Sequence, residues 1–322
     1  MRKRITGALV LALGVAAVGA WLWPRGDGTP APEVAIAPHP AASAASAAQA
    51  KVPASAPVKV AAAPPPGPSA CDRFLRLLPS VSKRLCDSAR LVDSGARSVK
   101  GVPLYTRDIA DPNAQVRVLV IGAIHGDELT SATVAMHWIA LAADEKMEMP
   151  QPVHWRFVPI VNPDGMLAKP HKRTNADGVD LNRNFPTPDW QRDAAIYWEK
   201  RTGKDPRRWP GPKPLSEPET RFVLDQVEHF RPHLIVSIHA PFGVLDFDGP
   251  TVPPSKLGRL YLDQVGIYPG SLGNYGGVHK GVPVITIELA NALRAPREAE
   301  MRQMWLDLLR WTAAKIHADG GR

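Results

Sequence analysis

Cysteine is nearly absent from the 322 residues: only Cys71 and Cys86 occur. A disulfide framework is therefore excluded. In an exported chain an isolated pair reads as one bond, here closing a short loop and tying a local helical hairpin, with two free buried thiols as the alternative. Long runs of one charge are also missing. Arg2, Lys3 and Arg4 form the only basic block, although Lys+Arg 39 exceed Asp+Glu 31 and leave a formal charge of +8. This argues against a nucleic-acid partner. The basic balance is compatible with an anionic membrane or wall, and equally with an Arg-rich proteome. No internal repeat is visible. What is present, 44% hydrophobic and 22% charged residues, suits one globular domain with extra segments rather than disorder throughout.

The N-terminus reads as an export signal. The basic block precedes the uncharged stretch ITGALVLALGVAAVGAWLW, residues 5–23. Ordinary signal cores run about 7–15 apolar residues and spanning helices about 17–25, so this stretch falls in the spanning range. Trp21 and Trp23 at its end suit an interfacial belt. The expectation is an uncleaved anchor over 1–23, with cleavage after Val18-Gly19-Ala20 as the alternative. Positive charge inside puts the body outside the cytoplasm, in a periplasm, tethered to the inner membrane.

Residues 24–70 are Ala, Pro and Ser with almost no large apolar side chains. Such a segment buries too little surface to offset chain entropy, and its prolines favour an extended spacer. Residues 71–97 are expected to form a short helical lead-in, from the spacing of Phe74, Leu75, Leu78, Val81 and Leu85. The catalytic domain is then expected over 98–318.

Inside that domain, buried-type strands alternate with helices. Strands are expected at 116–124, 153–162, 233–240 and 282–290. Helices are expected at 128–145, at 217–230 behind a Ser216/Glu219 capping box, and at 296–318. Apolar strands between helices predict a three-layer α/β/α fold around a central, mixed but mostly parallel sheet.

Ligands in such sheets bind at the carboxyl ends of the strands. Three apolar strands here end in metal-capable residues: His125, with Glu128 just beyond; His239; and Glu288. Two His and one Glu are a known catalytic zinc set with one coordination position left open. On that reading His125, Glu128 and His239 hold one zinc per chain. Gly126 lets the backbone turn between two ligands, and Glu288 is free to act as the base. A single strand-end His is more often structural than a ligand, and HxxE alone is common on helix surfaces. The combination is what points to a metal.

The motifs HGDE (125–128), GVDLNRNFP (178–186), SIHA (237–240) and TIEL (286–289) resemble those of the zinc carboxypeptidase family, in the same order and across nearly the whole domain. VNPDG (161–165), SEPET (216–220) and PGSLGNYGG (269–277) look like the bacterial murein peptide amidases of that family. The resemblance implies His125, Glu128 and His239 as zinc ligands and Glu288 as general base and later acid. It implies Arg183 with Asn182 as the reader of a terminal carboxylate, and Arg173 as the oxyanion stabiliser. A substrate-capping tyrosine is implied too, with Tyr268 the better positional match and Tyr275 the competitor. Leu272 falls near the position that sets side-chain specificity.

Two segments lie outside that pattern. Asp246 and Asp248 follow His239 and could meet a cationic amine, although an ordinary acidic loop is the simpler reading. The Pro-rich insert 186–214, with Trp190, Trp198 and Trp209, either walls the cleft or packs over the sheet.

The resemblance implies a zinc peptidase cutting an amide next to a free carboxylate, with the D-glutamyl–diaminopimelate bond of peptidoglycan stem peptides as substrate. The N-terminal segment adds the expectation of export, although murein peptide amidases of this type need not be exported, and a monomer is expected. The alternatives are a carboxypeptidase on ordinary peptides, a zinc deacylase of small acylated amino acids, and an inactive wall-binding module. An intact Glu288 and ligand set argue against the last.

Overall fold

A computed structural model describes residues 69–318. The expected anchor, and the expected linker as far as residue 68, lie outside the described residues. Among the described residues no helix is long and apolar enough to cross a membrane.

The described chain opens with α1 (Ala70–Phe74) and α2 (Lys83–Ser88), capped by Ser69 and Ser82. Cys71 and Cys86 form the expected disulfide, which joins these two helices. The lead-in is helical only as far as Ser88. Residues 92–97, expected within it, are instead strand β1 (Val92–Arg97), paired antiparallel with β2 (Pro103–Ala110). Next come β3 (Val116–Ile121), α3 (Leu129–Ala142), β4 (Val153–Val158), α4 (Pro163–Leu167), α5 (Trp190–Arg201), α6 (Pro218–Asp225), β5 (Leu234–His239) and β6 (Val244–Asp248). The short strands β7 (Lys256–Leu257) and β8 (Leu260–Tyr261) form a separate ribbon. The chain then closes with β9 (Val284–Glu288) and α7 (Glu298–Lys315).

The seven-stranded sheet runs β1-β2-β4-β3-β5-β9-β6. Strands β4, β3, β5 and β9 are mutually parallel, and β2 and β6 flank them antiparallel. The mixed, mostly parallel sheet expected from sequence is therefore present. Its central strands are apolar on both faces because helices cover both. Val118 and Val120 of β3 point into one core and Leu119 and Ile121 into the other. The first core holds Trp138 of α3 against Trp305 of α7, ring centres 5.3 Å apart, and Trp155 of β4 against Trp305 at 4.6 Å. The second takes Phe222 and Val223 of α6.

Three local expectations change. Ser216 and Glu219 do not form a capping box: α6 starts after Glu217 without a side-chain cap, and Glu219 turns inward to accept from Val99 N and Asn175 Nδ2. The segment around Asp246 and Asp248 is not a loop but β6, paired with β9 in the register Asp246↔Thr286 and Asp248↔Val284. The insert carries a helix of its own, α5.

The sheet order fixes the location of chemistry. From β3 the chain crosses through α3 to β4 on one side, while β5 lies on the other. The carboxyl ends of β3 and β5 therefore diverge at a switch in strand order, where open α/β sheets form crevices.

Candidate metal centre and cleft

His125 follows β3, Glu128 immediately precedes α3, and His239 is the last residue of β5. The parallel pairing Ile121↔Ser237 brings these strand ends to the same edge. His125 Nδ1 lies 2.8 Å from Glu128 Oε1, His239 Nδ1 lies 3.2 Å from Glu128 Oε2, and the two Nδ1 atoms are 3.2 Å apart. All three side chains are buried, and their donor atoms lie within 4.8 Å of one another.

This spacing fits zinc. Two nitrogens at about 2.0–2.1 Å from an ion, subtending a tetrahedral angle, sit roughly 3.3 Å apart. Each ring is also anchored on its far side. His125 Nε2 faces Asp180 Oδ1 at 3.1 Å, and His239 Nε2 faces Ser237 Oγ at 2.9 Å. Partners of this kind fix the tautomer that leaves Nδ1 free to ligate. The Glu128 carboxyl also accepts from Ala240 N at 3.2 Å. Burial pushes Glu128 up, but His125 and His239 beside it outweigh burial and hold it below the ordinary carboxylate range.

Gly126 lies at the expected turn between the ligands, but it owes its identity to packing and not to backbone conformation. It is absent from the positive-φ glycines, and a Cβ there would collide with the backbone of Gly165 and Met166. It is glycine because α4 approaches the ligand loop too closely for a side chain.

Glu288 ends β9 and pairs in register with His239. It lines the same cleft, and its Oε2 is buried with no hydrogen-bond partner among the described residues. Burial raises its carboxyl above the ordinary range, Glu128 adds to this, and His239 opposes it.

Arg173 and Arg183 both line the cleft. Arg173 Nε donates to Asp180 Oδ2 at 3.0 Å, and its Nη1 reaches Glu128 Oε1 at 3.5 Å. Arg183 is 6% exposed, and its Nε is buried without a partner. Its guanidinium carbon lies 4.4 Å over the Tyr268 ring. Asn182 lines the cleft as well, but its Oδ1 accepts from Leu272 N at 2.8 Å, so it braces the loop opposite.

The tyrosines separate. Tyr268 lines the cleft, with its hydroxyl donated to Val265 O at 2.6 Å. Tyr275 is not a cleft residue. It is buried and stacked on Phe185 at 6.0 Å, and its hydroxyl is pushed up to about 12 by burial and by Glu228. Leu272 lies in the same core, so it sets packing rather than specificity. Both reside in a glycine-rich segment where sequence offers no periodicity to say which side chains face in.

The insert walls the cleft, the first of the two expectations. Arg208 lines the cleft, and Arg207 Nη2 pairs with Asp127 Oδ2 at 2.8 Å, fastening the insert beside the ligand loop. Trp190 packs inward and donates from Nε1 to Arg183 O at 2.8 Å.

Sequence reasoning missed Asp180 and Ser237. Asp180 is fully buried and meets His125, Arg173 and the Asn182 backbone. Arg173 and His125 hold its carboxyl well below the ordinary range against the effect of burial. It sits in the GVDLNRNFP motif, but nothing in its spacing points to His125. Ser237 does carry a signal: two residues before His239 on a strand, it must share that side chain's face.

The family described as zinc carboxypeptidase matches residues 76–245. Murein peptide amidase A of Escherichia coli K12 is 32% identical over 152 residues, covering 47% of this chain and 59% of that protein's length. Murein peptide amidase A of Vibrio campbellii is 31% identical over 203 residues, covering 61% of this chain and 78% of that protein. In fold, the chain is similar to the carboxypeptidase A of Helicoverpa armigera, with a TM-score of 0.55 and 18% identity over 74% of this chain and 72% of the other.

Proposed function

The chain belongs to the zinc carboxypeptidase family, and on that premise we propose that it hydrolyses an amide bond next to a free carboxylate, the D-glutamyl–diaminopimelate bond of peptidoglycan stem peptides. The two relatives named murein peptide amidase A support a peptidoglycan peptide as the substrate class. The observation that carries the reading is Arg183. A buried guanidinium with an unpartnered Nε, in the same cleft as the metal-ligand cluster, calls for an anion from outside the protein. A substrate carboxylate matches its planar donors bidentately.

Zinc at His125, Glu128 and His239 supplies Lewis acidity toward the scissile carbonyl. The remaining steps belong to this chain's own side chains. Glu288, with a free Oε2 and a carboxyl raised by burial, takes the proton of the attacking water and passes it to the leaving amine. Arg173, held in orientation by Asp180, donates to the oxygen where negative charge develops. Tyr268 backs the Arg183 guanidinium and closes that side of the cleft.

The proposed place of action is the periplasm, with residues 5–23 as an inner-membrane anchor. The basic block before an uncharged stretch supports this. A monomer is proposed as the working unit.

The test incubates the purified full chain and zinc with muropeptides, ordinary peptides and small acylated amino acids, and weighs the products by mass spectrometry. The expected outcome is cleavage of the D-glutamyl–diaminopimelate amide. Preferred cleavage of ordinary peptides or of acylated amino acids would replace this reading with a general carboxypeptidase or a deacylase. Retained zinc with no cleavage would make the chain a binding module.

A further inference from the structure

We infer that Tyr197 of the insert is a positioning residue for carboxylate recognition: it holds the Tyr268 ring against Arg183 and so fixes the guanidinium that reads the substrate. The inference rests on the proposed role of Arg183 and adds the element that sets its geometry.

Helix α5 carries Trp190, Ala194 and Tyr197 at spacings of four and three residues, which places them on one face. Trp190 and Ala194 are buried and Tyr197 is half-buried, whereas Arg192 and Ile196 are exposed. Trp190 Nε1 donates to Arg183 O at 2.8 Å, so the start of the helix grips the arginine main chain. Two turns on, roughly 10 Å along the axis, Tyr197 meets Tyr268. The two rings form an edge-to-face pair at 71°, with centres 5.5 Å apart. The Tyr268 ring in turn lies 4.4 Å from the Arg183 guanidinium carbon. One helix therefore holds the same arginine twice, through its backbone and through the ring that backs its side chain. Gly270 closes the unit, because a Cβ there would collide with Arg183 O and with the Trp190 ring.

The Tyr268 ring needs this support. It follows the exposed residues Gly266 and Ile267. Its hydroxyl donates to Val265 O, three residues back, which fixes the ring within its own segment rather than against the domain. Beyond that segment the ring meets Arg183 and Tyr197. The guanidinium depends on the ring as well. Arg183 Nη1 donates to Asn182 O at 2.6 Å, a single bond about which the plane can still turn. The stacked ring removes that freedom, and a carboxylate is met bidentately only by a guanidinium whose plane is fixed.

Tyr197 is not a cleft-lining residue, so it acts through Tyr268. The carboxylate that Arg183 holds lies away from the reacting atoms and is held alike before and during reaction. Loss of Tyr197 should therefore raise KM rather than lower kcat.

The test compares full-length wild type, Tyr197→Ala and Tyr197→Phe, each loaded with zinc. Each is assayed on the best-cleaved substrate of the product screen, as the free acid and as its carboxyl amide. Tyr197→Ala should raise KM for the acid about three- to tenfold, the worth of one aromatic pair, with kcat within about twofold and zinc content unchanged. Its rate on the amide should stay the same, so the preference for acid narrows. Tyr197→Phe keeps the ring and should match the wild type. Tyr197→Leu, which keeps bulk without an aromatic edge, takes the place of the alanine variant if that folds poorly. Calorimetry with free diaminopimelate and its diamide reads the same preference without turnover. An unchanged KM and preference in Tyr197→Ala overturns the role of Tyr197 and leaves that of Arg183 standing. Equal losses on acid and amide overturn it by showing a merely structural effect. A phenylalanine variant that behaves like the alanine variant overturns it by assigning the effect to the hydroxyl. A wild type with no preference for acid over amide overturns the reading of Arg183, and this role with it.

Discussion

His239 and Glu288 are paired residues on adjacent parallel strands, yet only one of them faces Glu128. His239 Nδ1 sits 3.2 Å from Glu128 Oε2, while Glu288 Oε2 has no partner. On the proposed mechanism, these neighbours in register hold different roles, His239 as ligand and Glu288 as base. Glu288→Gln should retain about one zinc per chain, while turnover falls by at least about a hundredfold. His239→Ala should lose the metal. Elemental analysis paired with turnover decides this: zinc lost from Glu288→Gln, or kept stoichiometrically by His239→Ala, would reverse the assignment.

Asp180 anchors the His125 ring, its Oδ1 facing Nε2 at 3.1 Å. Asp180→Ala should weaken zinc binding by about 10–100-fold, the usual consequence of losing such a partner. It should also free Arg173, so turnover should fall further than zinc occupancy alone explains. Chelator competition measures the first effect and turnover at saturating zinc the second. Wild-type zinc affinity in this variant would remove Asp180 from the support of the site.

Sequence made the central strands and the ligand set legible for the same reason. A strand buried on both faces must be apolar, so the polar residue that ends it stands out. His125, His239 and Glu288 all have that form. What stayed hidden were elements without such contrast. Strand β1 is exposed at nearly every position and carries no hydrophobic pattern. Strand β6 is only five residues long and is bounded by Gly243 and Gly249, so its two acids read as a loop although they alternate with apolar residues. Asp180 shows its partners only once the chain is folded, because His125 lies 55 residues away in sequence. Tyr268 and Tyr275 stay in competition on sequence alone, because the glycines around Tyr275 remove any signal of which way it points; the fold puts Tyr268 in the cleft. Glu219 looked like a cap because Ser-x-x-Glu before a helix is the usual signature, but burial against Asn175 prevailed.

Arg183 should distinguish a free carboxylate from its amide. The wild type should cleave the carboxylate substrate far better, because an amide leaves the buried guanidinium unpaired. Arg183→Ala should lose most activity on the free acid and show little difference between the two substrates. The comparison uses kcat/KM for all four combinations of enzyme and substrate. Equal rates on acid and amide by the wild type would sink the proposed reading of the cleft.

Glu219 should make stability fall as pH rises through the neutral range. Its side chain is fully buried, and burial raises its carboxyl to about 7, against hydrogen bonds that include those from Val99 N and Asn175 Nδ2. In the unfolded chain the group returns to its ordinary value of 4.5. Between those values the folded state keeps a proton that the unfolded state has released. Its contribution is therefore most favourable below pH 4.5 and is lost as pH climbs to about 7, a change of roughly 3 kcal/mol. Glu219→Gln cannot titrate, so its stability should vary less between pH 5 and pH 7. Its absolute stability should also be lower, since a glutamine amide brings N–H donors toward the donors of Asn175 and Val99. The slope, not the absolute value, is thus the informative quantity. Urea unfolding midpoints at several pH values for both proteins give it, and the comparison cancels other titrating groups such as Asp248. Identical slopes in the two proteins would show that Glu219 is already ionised in the fold.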